Sequence, residues 1–186
     1  YSGLYSNDSM IMNITVGEEG KITVSSLSNK DIPDEVYLYT SEGVFVNENG
    51  SKKLKFVEES NGKTYIQIRQ VLNLPNLGQT VITSYEYEKT EPNKIDVLIQ
   101  NAWDERSGTK YFIVNENPYG QLYHNLENTY FEITTNKGSP GYAGYHKIVN
   151  QNKAVQDVQI PVMAGRDLSN IDILNFNGKE YLFLND

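Results

Sequence analysis

Apolar and polar residues alternate with a period of two along most of the chain. In MIMNITV, Met10, Met12, Ile14 and Val16 share one face, and Ile11, Asn13 and Thr15 share the other. A Gly-bounded GEEG follows, then Ile22 and Val24 alternate with Thr23 and Ser25. That is the grammar of a β-hairpin. KLKFVEESNGKTYIQIR repeats it, with Leu54 and Phe56 on one strand and Ile66 and Ile68 on the next. Asn61-Gly62 between them predicts a type I′ turn. Further strands are expected over 36–39, 43–46, 80–87, 95–101, 110–114, 129–134, 144–149, 171–174 and 181–184. No window carries a helical stripe; one or two turns of helix are expected near 151–158 and 167–170.

So many short antiparallel strands need their edges closed or covered. The expected fold is all-β: an antiparallel, lipocalin-like barrel with extra hairpins outside its wall, spanning 1–186 as a single domain. NGKTYIQI and NGKEYLFL echo each other at Gly62 and Gly178. Two hairpins solving one turn problem account for the echo better than a duplicated half-sheet does.

Composition narrows the chemistry. The formal net charge is -8, which opposes binding to nucleic acid or to an anionic membrane surface. Lys52, Lys53 and Lys55 form a short basic run among Glu48, Glu58 and Glu59, and it reads as a solvated strand face. There is no cysteine, which removes disulfides and thiolate metal sites. No apolar run reaches the roughly 20 residues of a membrane-spanning helix. The chain starts at Tyr1 rather than Met and reads as a fragment of a longer protein.

Two Ser-x-x-Lys matches (Ser60–Lys63, Ser107–Lys110) and two Tyr-x-Asn matches (Tyr5–Asn7, Tyr123–Asn125) carry the spacing of a serine nucleophile, its lysine base and a relay tyrosine, but nothing beyond that spacing. Thirteen serines and thirteen lysines in 186 residues produce about one such Ser-x-x-Lys by chance. Both serines fall in turns, where no helix start supplies an oxyanion hole. His124 and His146 are isolated from each other and from any nucleophile elbow. No metal or cofactor is expected. The remaining candidates are Trp103, Tyr142 and Tyr145, which together with Arg166 would line a barrel mouth suited to a small apolar or glycan ligand. Wall packing for the aromatics, and a rim salt bridge for Arg166, are the plainer expectations. In the Gly-Arg-Asp phrase, Gly165 permits positive φ and Asp167 caps a short turn.

YSGLYSN (residues 1–7) resembles the opening of the C-terminal, lipocalin-like β-barrel domain behind many bacterial serine hydrolases of the class C β-lactamase and penicillin-binding-protein-like family. PVMAGRDLSNIDILNFNGKEYLFLN (residues 161–185) resembles the close of such domains. The resemblance implies a catalytic serine domain upstream of Tyr1 in the same polypeptide, a location at the cell envelope or outside the cell, and an accessory role for the barrel. It places no catalytic residue on this chain. Three readings follow: an accessory domain that packs on or gates the catalytic domain, a lipocalin-like binding domain, and a stand-alone enzyme.

Overall fold

The computed structural model describes residues 1–114, 117–156, 158–161 and 169–185. They form two compact units, where the alternation alone suggested one domain. The first is made of Tyr1–Pro92 with the described part of Asp157–Leu168; the second is made of Asn93–Gln156 and Ser169–Asp186, described to residue 185.

The first unit is a closed antiparallel barrel of eight strands in sequential order. The strands are β1 (Gly3–Ser6), β2 (Ile11–Val16), β3 (Lys21–Ser26), β4 (Glu35–Tyr39), β5 (Val44–Asn47), β6 (Lys52–Glu58), β7 (Thr64–Leu74) and β8 (Gly78–Thr90). β1 closes the barrel on β8 through Leu4↔Thr90, Tyr5↔Lys89 and Ser6↔Glu88. The inward positions are Tyr5, Met12, Ile14, Ile22, Tyr37, Phe45, Leu54 and Ile66, all buried. They are the every-other-residue face that the apolar pattern marks.

One irregularity decides which β8 residues face inward. Ile66 pairs with Tyr87 but Gln67 pairs with Tyr85, so Glu86 is an extra residue, a β-bulge. Tyr87 packs on the barrel core, whereas Tyr85 joins Tyr65, Val158 and Ile160 in a separate cluster.

The second unit holds a five-stranded antiparallel sheet, β11 (Tyr142–Ala143), β12 (His146–Asn150), β13 (Lys153–Val155), β14 (Asn170–Phe176) and β15 (Lys179–Asn185), in sequential order. A two-stranded ladder of β9 (Lys110–Phe112) and β10 (Tyr130–Glu132) accompanies it. Two helices, α1 (Val97–Arg106) and α2 (Pro118–Leu126), complete the unit.

The helices correct the sequence expectation. Ile95, Val97 and Ile99 alternate like a strand, but Ile95, Ile99 and Trp103 also recur every four residues like a helix face. The helical period wins. Asp96 caps the helix by accepting from Leu98 N–H at 2.7 Å. Trp103, Ile95 and Ile99 then pack into one core while Val97 and Leu98 face outward. Asn117-Pro118 starts α2: the Asn117 side chain accepts from the N–H groups of Tyr119 and Gly120, and proline takes the first helical position. The helix expected near 151–158 is instead a turn leading into β13. Of the one near 167–170, residues 167 and 168 lie outside the described residues and Asn170 opens β14.

The two Asn-Gly turns differ. Asn177 and Gly178 both have positive φ (50° and 74°), as a two-residue type I′ hairpin between Phe176 and Lys179 requires. At the earlier turn only Gly62 does (78°), and its N–H donates to the Glu59 carbonyl. That is a type I turn followed by a left-handed glycine, not the type I′ turn expected there. The shared phrase therefore serves two backbone geometries.

Gly141 anchors the second unit. Its φ is +81°, and a Cβ there would collide with the Asn93 carbonyl. The Asn93 amide meanwhile donates to the carbonyls of Gly141 (2.7 Å) and Ile148 (2.8 Å). Gly141→Ala is expected to destabilise this unit by about 2–3 kcal/mol. Urea unfolding followed by Trp103 fluorescence measures it, because the single tryptophan lies in this unit's core.

Candidate functional site on the barrel wall

The barrel interior carries a packed apolar core. Besides its buried core, Val24, Phe56, Ile68 and Tyr87 pack inward. The Tyr1 ring stacks on Phe56 at 4.3 Å and 8° and meets Phe45 edge-on at 5.9 Å. Lys52 and Glu35, on this same inward face, form an ion pair at 2.5 Å, and the Tyr37 hydroxyl donates to the other Glu35 oxygen. Burial alone would raise the Glu35 pKa, but hydrogen bonds from Lys52 and Tyr37 outweigh it and hold the carboxyl below its usual range. Burial pushes the Tyr37 hydroxyl upward, and Glu35 adds to that. A phenol so held stays protonated and is no nucleophile.

The outer wall of β5–β8 is different. Register places Val46, Lys53, Arg69 and Thr83 side by side in one cross-strand row, and Val44, Lys55, Gln67 and Tyr85 in the adjacent outward row. Lys53 and Arg69 are thus direct cross-strand partners of like charge. Residues so paired have Cβ atoms about 5 Å apart, and like charges there repel. Of the residues in the two rows, all but Val46 and Tyr85 line a depression of about 410 Å³, together with Thr40, Ser41, Glu42 and Leu54. A second depression of about 450 Å³ shares Gln67 and Thr83 with it and includes Asp8, Glu86 and Pro161.

The three arginines have separate fates. Arg69 stands on this wall. Arg106, in the second unit, donates to Glu180 at 3.0 Å, to the Gln151 carbonyl at 2.5 Å and to the Asn152 side chain at 3.0 Å. It also lies 5.6 Å from the Trp103 ring centroid. Arg166, with Gly165 and Asp167, lies outside the described residues.

The aromatic candidates belong to the second unit and not to the barrel wall. Trp103 is fully buried and donates through Nε1 to the Asn150 carbonyl at 2.8 Å. Tyr142 is buried in β11. Tyr145 stacks on His146 at 4.4 Å and 27°. Trp103 and Tyr142 are thus core positions, and Tyr145 is half-buried. Neither Ser-x-x-Lys match forms a nucleophile–base pair: Lys63 Nζ lies 2.5 Å from Glu88, Ser107 Oγ accepts from Thr135 N–H, and Lys110 sits over the Tyr130 ring. Tyr5 donates its buried hydroxyl to the Tyr1 carbonyl, and burial, with a smaller push from Tyr1, raises its pKa to about 12. Among the described residues no cluster of His, Asp and Glu could hold a metal ion, and no helix is long and apolar enough to cross a membrane.

Sequence reading missed the wall cluster. Lys53 and Lys55 were visible as alternate residues of one strand, but Arg69 joins them only through strand register.

His146 supplies a pH signature. Burial pushes its pKa down to about 4, against smaller upward pulls from the Ala143 and Ser169 backbone. Folded His146 stays neutral while the unfolded side chain takes up a proton below about 6.5, so stability falls as pH drops from about 6.5 to about 4. The loss from this group is about 3 kcal/mol. Urea titrations across that window are expected to show a shallower pH slope for His146→Phe than for the parent chain, since the carboxylates titrate in both.

No family model matches the chain, and no curated protein or solved structure shows significant similarity to it.

Proposed function

We propose that this chain is a non-catalytic accessory region of a cell-envelope serine hydrolase of the β-lactamase and penicillin-binding-protein-like kind. It packs on the catalytic domain of the same polypeptide. The observation that carries this reading is helix α2. Tyr119, Leu122, Tyr123 and Leu126 recur at i, i+3, i+4 and i+7, and all four are exposed, at 86%, 58%, 60% and 76%. An apolar helical stripe left in water is a docking face. The likeness of YSGLYSN to the opening of the accessory barrels of such hydrolases supplies the partner; residues 170–185, likened to the close of such barrels, here form β14 and β15 of the second unit's sheet instead. The apolar core packed inside the barrel favours this role over that of a binder holding an apolar or glycan ligand there.

The test uses the natural full-length polypeptide and a fluorophosphonate probe. Labelling is expected at a serine upstream of Tyr1 and nowhere within residues 1–186; a label mapped to Ser60 or Ser107 sinks the reading. In that same polypeptide, the double variant Leu122→Glu/Leu126→Glu is expected to unfold in separated transitions and to expose new protease sites between the modules. Unchanged co-operative unfolding would remove α2 as the docking element.

A further inference from the structure

We propose that the barrel wall at Lys53, Lys55 and Arg69 is a binding site for a phosphate monoester with a hydroxyl-bearing body, of the sugar-phosphate class. The starting point is a charge arrangement that the fold does not need. Lys53 faces Arg69 across the β6–β7 ladder, and Lys55 lies two residues along on the same outward face. Among the described residues none of the three makes an ion pair or a side-chain hydrogen bond. Their neighbour Lys52 shows the contrast, since it turns inward and is neutralised by Glu35. Three cations without an ion-pair partner among the described residues line one depression against the single carboxylate of Glu42, and this local excess of positive charge, in a chain of net charge -8, favours an anion.

The depression says which anion. A phosphate dianion offers three oxygens and close to two charges, matching a guanidinium fork and two ammonium groups better than a single carboxylate does. At about 410 Å³ the space exceeds what inorganic phosphate alone would fill and lies in the usual range for small-molecule sites. The rest of its lining is polar. Among the described residues the side chains of Ser41, Gln67 and Thr83 make no hydrogen bond, and the Thr40 hydroxyl donates to the Val44 carbonyl, keeping its lone pairs free to accept. Glu42 on the rim accepts from hydroxyls and repels a second anionic group. This inference does not depend on the docking role of α2, which lies in the other unit.

Calorimetry and thermal unfolding at fixed ionic strength test it with glucose 6-phosphate, glucose and sodium chloride, and sedimentation with phosphatidic-acid vesicles covers a lipid source of the same group. Glucose 6-phosphate is expected to bind and to raise Tm, while glucose and chloride do neither. Lys53→Glu is expected to weaken binding at least tenfold, and yet to raise Tm of the unliganded protein by a few degrees, because it converts a repulsive cross-strand pair into an attractive one. Arg69→Gln is expected to weaken binding similarly. Vesicle binding without glucose 6-phosphate binding, if lost in Lys53→Glu, assigns the phosphate to a headgroup. Binding to neither ligand overturns the site, as does binding that survives both substitutions or an equal response to glucose.

Discussion

Three residue pairs close the barrel, and the first unit depends on them. Leu4↔Thr90, Tyr5↔Lys89 and Ser6↔Glu88 join the first strand to the last. Without them β1 and β8 would each leave a row of unpaired backbone donors and acceptors. The same short strand delivers Tyr5 to the centre of the core and places Tyr1 against Phe56 and Phe45. Closure and core packing are therefore linked through one strand. Glu88 extends the effect outward, since it accepts from Lys63 and from the Gln159 N–H, while the Tyr65 hydroxyl donates to the Gln159 carbonyl. The returning segment 158–161 is tied to the wall at the seam.

The bulge at Glu86 divides β8 between two tasks. A strand without it would send Tyr85 and Tyr87 to the same face, as residues two apart normally go. The extra residue turns Tyr87 into the core and Tyr85 out over Tyr65, where the rings meet edge-on at 5.7 Å. On the inward face Glu35, Tyr37 and Lys52 satisfy one another, whereas Lys53, Lys55 and Arg69 on the outer wall have no ion-pair partner among the described residues. Interior polar groups must be paired because burial penalises them, whereas wall charges are kept tolerable by water. A charge cluster that costs stability can persist only on the solvent side.

Much of the fold was legible. The hairpins around GEEG and ESNG and the strands 36–39, 43–46 and 80–87 follow from period-two alternation, because β side chains point to opposite faces at successive positions, and the expectation of a barrel comes from the need to cover so many strand edges. The candidate site was not. Trp103, Tyr142 and Tyr145 attracted attention through residue type, yet residue type does not distinguish a lining aromatic from a packing one. Helix α1 was hidden because Ile95, Val97, Ile99 and Trp103 satisfy two periods at once, and the decision fell to the Asp96 cap and to the core that receives Trp103.

By itself the sequence determined that this is a β-rich chain, with its alternating faces and its turns marked by glycine and asparagine, because those are local properties of a few consecutive residues. Only the tertiary structure decided that eight strands close on one another, that the remaining strands and both helices build a second unit, and that NGK turns two ways. It alone brought Arg69 opposite Lys53. The reason is register: which residue faces which across a ladder is set by long-range pairing and by a single bulge, and no window of neighbouring residues contains that information.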